Sequence, residues 1–118
     1  MRNKQKHIQL RDVHDVIDVI GGRWRGAVLA SLCDRGKRFN DLRRDLPPIT
    51  ARSLIKELRF LEDHALVHGE MHDGHTVYAL TPHGRSLEPL IAAMVLWGQR
   101  HRTVVLARWS RQRTARAG

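Results

Sequence analysis

Three cationic side chains recur at helical spacing between Ile49 and Val67, in the segment ITARSLIKELRFLEDHALV. When successive residues are rotated by about 100°, as in an α-helix, Arg52, Lys56 and Arg59 share one face, opposite Leu54, Leu58 and Leu61. Guanidinium and ammonium groups donate hydrogen bonds to phosphates and base edges, so this face has the chemistry to bind nucleic acid. Simple solvation of an exposed cationic face is the alternative.

The residues around this helix carry further groups suited to DNA. Its first turn contains Thr50, Ala51, Arg52 and Ser53, and the first turn of a recognition helix is where base edges are usually read. Arg52 could donate two hydrogen bonds to guanine, and the Ala51 methyl could contact thymine. Four more basic side chains surround the preceding helix, where phosphate contacts would set the register: Lys37, Arg38, Arg43 and Arg44.

Histidine and cysteine are the remaining candidates for chemistry. His72 and His75 flank the tip of a predicted hairpin, and His68 lies on the same strand face as His72. No third ligand of suitable geometry accompanies them, so DNA contact at the hairpin is favoured over a metal site. The single cysteine, Cys33, cannot form a disulfide within the chain, and it lies in an apolar helical pattern typical of a buried side chain. We expect no metal and no cofactor.

Motifs of known enzyme chemistry are not found in the sequence. It contains no glycine-rich phosphate loop, no nucleophile elbow, and no carboxylate pair or Ser-His-Asp order that its spacing makes specific. Trp24, Trp97 and Trp109 could line a ligand pocket, but packing in a core or interface is the favoured role for them. We therefore predict that the protein is not an enzyme.

The order of predicted elements is that of a winged helix-turn-helix, mainly α with a small β-hairpin. Apolar periodicity predicts a helix from Val13 to the Gly21-Gly22 pair and a second helix from Trp24 to Cys33. A short helix in KRFNDLRRDLPP and the cationic helix starting after Thr50 follow. Asp73-Gly74 predicts the hairpin turn, and Thr81-Pro82 predicts a last helix running to about Arg102.

Length and charge limit the class of protein. The 118 residues suit one domain, which we place at residues 13–103 between a basic lead-in, residues 1–12, and a basic tail, residues 104–118. The formal net charge of +9 predicts an anionic partner, with nucleic acid favoured over a membrane surface. The longest apolar stretch, Pro89 to Trp97, is too short to span a bilayer, and no signal peptide is apparent. We expect a cytoplasmic protein with no membrane partner.

Two terminal segments carry more apolar surface than one small domain can cover. The first is the stripe Val13, Val16, Ile17 and Ile20, and the second is the wide arc that includes Leu87, Ile91, Met94, Val95 and Trp97. Large exposed apolar patches usually mark interfaces between proteins. We therefore predict a homodimer held by these nine residues.

The segment from Val13 to His101 resembles the HxlR-type family of bacterial winged helix-turn-helix regulators. The resemblance is carried by IGG-R-W from Ile20, KRFNDLRRDLP from Lys37, IT-x-x-x-L-x-x-x-L-x-x-L from Ile49, and Y-x-L-T-P-x-G-R-S-L from Tyr78. It implies a homodimeric transcription factor with terminal dimerisation helices and the helix from Ala51 in the major groove. Many relatives carry a redox-sensing cysteine where this chain has Arg11 and Asp12, and their hairpin is longer.

The combined hypothesis is a sequence-specific transcriptional regulator that binds double-stranded DNA as a homodimer at a pseudo-palindromic operator. A non-specific architectural nucleic-acid binder is the alternative, because it would use the same net charge without reading bases. A protein-interaction module of the same fold is a third. The sequence leaves open whether a small-molecule effector exists and whether transcription is repressed or activated.

Overall fold

The computed structural model describes the backbone of residues 2–117 and the side chains of residues 9–117. The chain divides into two compact units, Met1–Leu87 and Glu88–Gly118, and each is described by itself. Its helices and strands are α1 (Arg2–Ile20), α2 (Arg25–Leu32), β1 (Lys37–Arg38), α3 (Phe39–Asp45), α4 (Ala51–Asp63), β2 (Val67–His72), β3 (His75–Leu80), α5 (Pro82–Arg85) and α6 (Glu88–Ala117). The prediction of a mainly helical chain is confirmed.

The first helix, α1, is longer than the apolar periodicity predicted. It begins at Arg2 instead of Val13, so the segment predicted as a basic lead-in is helical. Arg, Lys and Gln are good helix formers, so their propensity favours a helix here although the segment lacks an apolar stripe. Its predicted end is confirmed, because α1 stops at Ile20 and Gly22 has a φ of +77°. That conformation is easily adopted only by glycine.

The core of the first unit lies where α4 packs on α2 and on the start of β2. Its fully buried side chains are mostly leucines from three helices: Val28, Leu29, Leu32, Leu42, Leu54, Leu58 and Leu61. Burial of a leucine contributes roughly 1.5 to 3 kcal/mol, so these contacts are a main source of stability. They hold α3 and α4 as a helix-turn-helix.

The predicted hairpin is confirmed, and it belongs to a three-stranded antiparallel sheet. β2 pairs with β3 in the register Val67↔Leu80 to His72↔His75, and the turn at Asp73-Gly74 has a positive φ at both residues. β1 pairs with the other edge of β3 through Lys37↔Tyr78, so the strand order is β1-β3-β2. A two-residue strand has no periodicity, so β1 was not predicted from the sequence.

The predicted last helix is divided in two. Thr81 caps α5 as expected, since its hydroxyl accepts a hydrogen bond from the Gly84 amide at 2.9 Å. The helix expected to continue to Arg102 instead stops at Arg85, and α6 begins at Glu88. Pro89 explains the break, because it has no amide hydrogen to bond to the carbonyl of Arg85. A proline in the first turn of α6 is well tolerated, and α6 continues to Ala117 through the predicted tail.

Leu58 is 2% exposed, so its replacement tests the importance of the leucine face of α4. We expect Leu58→Ala to lower the free energy of unfolding by about 2 to 5 kcal/mol, because it removes buried contacts and leaves a cavity. Ile55→Ala is the matched control on the same helix, since Ile55 is 43% exposed and its truncation should cost much less. Urea unfolding measures both, and equal losses would contradict the assigned orientation of α4.

Candidate nucleic-acid interface

The helix α4 presents the two faces that its sequence predicts. Leu54, Leu58 and Leu61 are buried, whereas Arg52, Lys56 and Arg59 are exposed. Thr50 caps the helix, because its hydroxyl accepts a hydrogen bond from the Ser53 amide at 3.1 Å. The Thr50 hydroxyl is therefore engaged in capping, and Ala51 and Ser53 beside it are half-buried. The three exposed cationic side chains of α4 remain available to a partner.

Arg25 holds α4 in place through contacts that the sequence analysis missed. Its Nε donates to Glu57 Oε2 of α4 at 3.0 Å, and its Nη1 donates to the Asp18 carbonyl of α1 at 2.8 Å. The guanidinium also lies 3.5 Å from the centroid of the Phe60 ring, a cation–π contact. Arg25 thus joins α1, α2 and α4. No local pattern reveals a pair of residues 32 positions apart, so this contact required the tertiary structure.

The preceding helix, α3, contributes exposed cations beside α4. Arg43 and Arg44 are exposed in its last turn, and Arg38 is exposed at the end of β1. Arg44 also pairs with Asp41 of the same helix. A surface ion pair of this kind adds little stability, so Arg44 can exchange it for a phosphate at small cost. These three arginines are exposed, and their contact with phosphates stays a prediction.

The position of Lys37 in the structure contradicts its predicted contact with DNA. Its side chain is 6% exposed, and its ammonium contacts Asp45 at 2.6 Å, Asp34 at 3.1 Å and the Ser31 carbonyl at 2.5 Å. Burial disfavours the charged form, but hydrogen bonds to the two carboxylates outweigh burial and raise the pKa of Lys37. The buried ammonium is thus engaged by partners of the same chain and is poorly placed to contact a phosphate. Lys37 was predicted to contact DNA from its charge alone, and the charge of a side chain does not indicate whether it is buried.

Exposed cations from α3, α4 and β1 form one continuous surface. We call it the α3–α4 surface and define it by Arg38, Arg43, Arg44, Arg52, Lys56 and Arg59. Three open grooves cross it: one between α3, α4 and the hairpin, one along α4, and one beside the turn that precedes α4. The first two grooves share Ile55, and the first and third share Asn40 and Arg44. Ile55 thus places an exposed apolar side chain among the cations.

The two hairpin histidines lie in different surroundings. His75 lines the groove between the hairpin and α3, together with Arg38 and Tyr78, so it borders the α3–α4 surface. His72 lies 3.3 Å from Glu70, which also contacts His68 at 3.4 Å. The Glu70 carboxylate places negative charge beside His72, so His75 is the better placed of the two for an anion. Within residues 9–117 no group of three His, Cys, Asp or Glu side chains is arranged to hold a metal ion.

Cys33 has the surroundings expected of a packed side chain. It is half-buried at the end of α2, and its thiol donates to the Leu29 carbonyl at 3.3 Å. A thiol that acts as a redox switch is usually exposed and close to cations that stabilise the thiolate. The geometry supports the expected packing role.

In the described part of the chain, no helix is long and apolar enough to cross a membrane.

The residues predicted at a dimer interface are mostly exposed within their own units. In α1, Val13 and Ile17 are 55% and 54% exposed, and in α6, Val95 and Trp97 are 51% and 65% exposed. Val16 and Met94 are also exposed, Ile20 and Leu87 are half-buried, and Ile91 is buried. Among the described residues, α1 and α6 carry twelve of the fourteen large apolar side chains found exposed. Apolar surface is therefore concentrated on these two long helices.

These elements define a class of protein. A capped helix with a cationic outer face, a preceding helix with exposed arginines, and an adjoining hairpin are the parts of a winged helix-turn-helix DNA-binding domain. Residues 19–105 match the family model described as HxlR-like helix-turn-helix. The chain belongs to this family and is a DNA-binding regulator of transcription.

Relatives and solved structures agree with the family. The HTH-type transcriptional regulator YybR of Bacillus subtilis is 43% identical over 98 residues, which cover 79% of this chain and 77% of the relative. YdeP of the same organism is 41% identical over 93 residues, covering 76% and 73%. The structure of the redox regulator HypR in its reduced form matches with a TM-score of 0.75 and 41% identity, covering 81% of this chain and 98% of that one.

The environment of Lys37 leads to a prediction about pH. Hydrogen bonds from Lys37 lower the pKa values of Asp34 and Asp45 below their ordinary value of 3.8. Near neutral pH we expect Lys37→Met to lower the free energy of unfolding, because the carboxylates lose their cation. As the pH falls below 3.8 the unfolded carboxyls bind protons before the folded ones, and the advantage of the parent protein should shrink. Urea unfolding of both proteins between pH 7 and pH 3 measures this difference.

Two results would contradict this account of Lys37. One is a stability difference between the two proteins that stays constant down to pH 3. The other is a fall in the salt dependence of DNA binding for Lys37→Met, because an internal ammonium contacts no phosphate. Arg43→Met is the matched control for binding, since Arg43 is exposed on the neighbouring helix.

Proposed function

We propose that the protein is a sequence-specific transcriptional regulator that binds a pseudo-palindromic operator as a homodimer. The observation that carries the proposal is the exposure of Arg52, Lys56 and Arg59 on α4, directly above a buried leucine face. A rigid helix with a cationic outer face fits the major groove of B-DNA, which is about 12 Å wide. The exposed arginines of α3 would then contact the flanking phosphates.

We assign different roles to the three cations of α4 according to their positions along the helix. Arg52 lies in the first turn, where a side chain reaches base edges and can form two hydrogen bonds with guanine. Arg59 lies two turns later, where a phosphate is the nearer partner, and Lys56 lies between them. Ala51 and Ile55 add apolar contacts suited to the methyl group of thymine.

The apolar side chains on α4 favour base reading over the alternative of an architectural binder. A protein that contacts only phosphates gains nothing from Ile55, which is 43% exposed among the cations of the α3–α4 surface. A protein that reads bases can use it against thymine. This observation supports sequence-specific binding.

A homodimer is supported by the exposed apolar side chains of α1 and α6. Exposed valine, isoleucine and tryptophan at this density are unfavourable in water, and burial against a second copy removes them from solvent. A two-fold dimer presents two copies of α4, so we infer a pseudo-palindromic site with half-sites about 10 base pairs apart or a multiple of that distance.

Redox control and catalysis are not part of this proposal. HypR is described as a redox regulator, but this chain has a single cysteine, so no disulfide can form within it. The Cys33 thiol is half-buried and bonded to a backbone carbonyl. We propose action on DNA in the cytoplasm, with DNA and a second copy of the chain as partners and with no cofactor, metal or enzyme activity.

The roles of Arg52 and Arg59 can be separated by experiment. A site is first selected from a random duplex pool, and affinity is then measured by fluorescence anisotropy on that site and on a random duplex across a salt series. We expect Arg52→Ala to cost about 1 to 3 kcal/mol on the selected site and to relax preference at one base position. Arg59→Ala should weaken both duplexes equally and reduce the salt slope by about one unit.

The control for these variants is Arg85→Ala, which removes an exposed arginine of α5 that lines none of the three grooves of the α3–α4 surface. It should retain both affinity and base preference. If Arg52→Ala and Arg59→Ala also behave like the parent protein while remaining folded, the cations of α4 are merely solvated and the proposal is wrong. Parent protein that prefers no sequence would instead support the architectural alternative.

The dimer is tested by placing a charge on the exposed apolar face of α6. Val95→Glu should shift the protein from dimer to monomer at micromolar concentration, because a carboxylate would be buried in the interface without a partner. Analytical ultracentrifugation measures the shift. Met71→Glu is the matched control, since Met71 is 68% exposed on the hairpin and should leave the dimer intact. A monomeric parent protein under these conditions would refute the homodimer.

A further inference from the structure

The last part of α6 carries cationic charge that the helix-turn-helix does not explain. We call residues 106–117 the basic arm. It contains Arg108, Arg111, Arg113 and Arg116, and the sequence has no Asp or Glu after Glu88. The arm is helical and its side chains are exposed. It also lies beyond residue 105, where the match to the family model ends.

The stability of α6 does not explain why the basic arm contains four arginines. A cation in the last turn of a helix interacts favourably with the helix dipole, which explains Arg116. Arg108 lies more than two turns earlier, and like charges three residues apart, as at Arg108 and Arg111, destabilise a helix. Within the described chain none of the four forms an ion pair with a carboxylate. An external polyanion would relieve the repulsion among them.

We propose that the basic arm is a second DNA-binding element that contacts phosphates without reading sequence. This inference rests on the proposed function, because it takes the regulator's own duplex as the polyanion. The four arginines supply +4 of the formal net charge of +9. Each phosphate neutralised by a cation releases counterions, so the arm adds affinity that falls steeply with salt.

The distribution of side chains around the arm favours a nucleic acid over a membrane surface. Helices that lie on membranes separate a continuous apolar face from a cationic face. In the arm, Arg113 lies one turn after Trp109, on the side that also carries Leu106, so a charge interrupts the apolar side chains. Cations on several sides of a helix suit phosphates, which need charge and not a shaped pocket.

The test compares two versions of the full-length protein. In one, Arg108, Arg111, Arg113 and Arg116 are all replaced by Gln, and in the matched control all four are replaced by Lys. Gln and Lys are both good helix formers, so α6 should persist in each, as circular dichroism can verify. Affinity is measured on the selected site with ten flanking base pairs on each side, and on a random duplex of equal length, between 50 and 200 mM salt.

For the Gln version we expect the salt slope to fall by up to about 3.6 units per chain, at roughly 0.9 for each lost phosphate contact. The parent protein should then lose up to about 150-fold more affinity per bound chain than the Gln version across this fourfold rise in salt. Base preference should not change, because the α3–α4 surface is intact. The Lys version should keep the parent slope, since its charge is retained.

Other outcomes would overturn the inference. A Gln version with the parent slope on both duplexes shows that the arm contacts no DNA, even if α4 still reads the site. Loss of binding to phosphatidylserine vesicles with unchanged DNA affinity would assign the arm to membranes. Failure of the proposed function gives a different result. A parent protein without base preference would refute operator reading, whereas the salt slope on the random duplex would still fall in the Gln version if the arm contacts DNA.

Discussion

Burial of Leu54, Leu58 and Leu61 is the constraint on which the rest of the structure depends. These side chains pack α4 onto α2 and the start of β2, and this packing sets which side of α4 faces solvent. A rotation of α4 by one residue, about 100°, would expose leucines and bury cations, at a cost of several kcal/mol. Burial of the leucines thus places Arg52, Lys56 and Arg59 on the solvent-exposed side of α4. Their orientation does not depend on contact with DNA.

Electrostatic partners then divide the basic side chains into two groups. Lys37 and Arg25 are held by carboxylates of the same chain, and Lys37 also donates to the Ser31 carbonyl. They join β1 to α2 and α3, and α2 to α4. Arg52, Lys56 and Arg59 remain exposed. A buried or half-buried cation that is paired within the chain contributes to the position of a helix, whereas an exposed cation remains available to an anion. The same net charge therefore serves both folding and recognition, and the sequence alone does not separate the two uses.

The two long helices have a different surface from the short helices between them. Among the described residues, α1 and α6 carry most of the exposed large apolar side chains, whereas the short helices between them carry most of the core and, with β1, the α3–α4 surface. Within α6 the character changes from apolar side chains near Val95 to arginines after Leu106. A helix of 30 residues extends about 45 Å, which is long enough for two different surfaces at its two ends.

The sequence by itself determined the elements whose signals are local. The leucine and arginine periodicity of α4, the Asp73-Gly74 turn and the Thr50 and Thr81 caps depend on neighbouring residues, and the structure confirms each of them. Only the tertiary structure decided the position of β1, the burial of Lys37 and the contacts of Arg25 with Asp18 and Glu57. These features join residues that are distant along the chain or lack periodicity, so their partners appear only once the leucine core has brought the helices together.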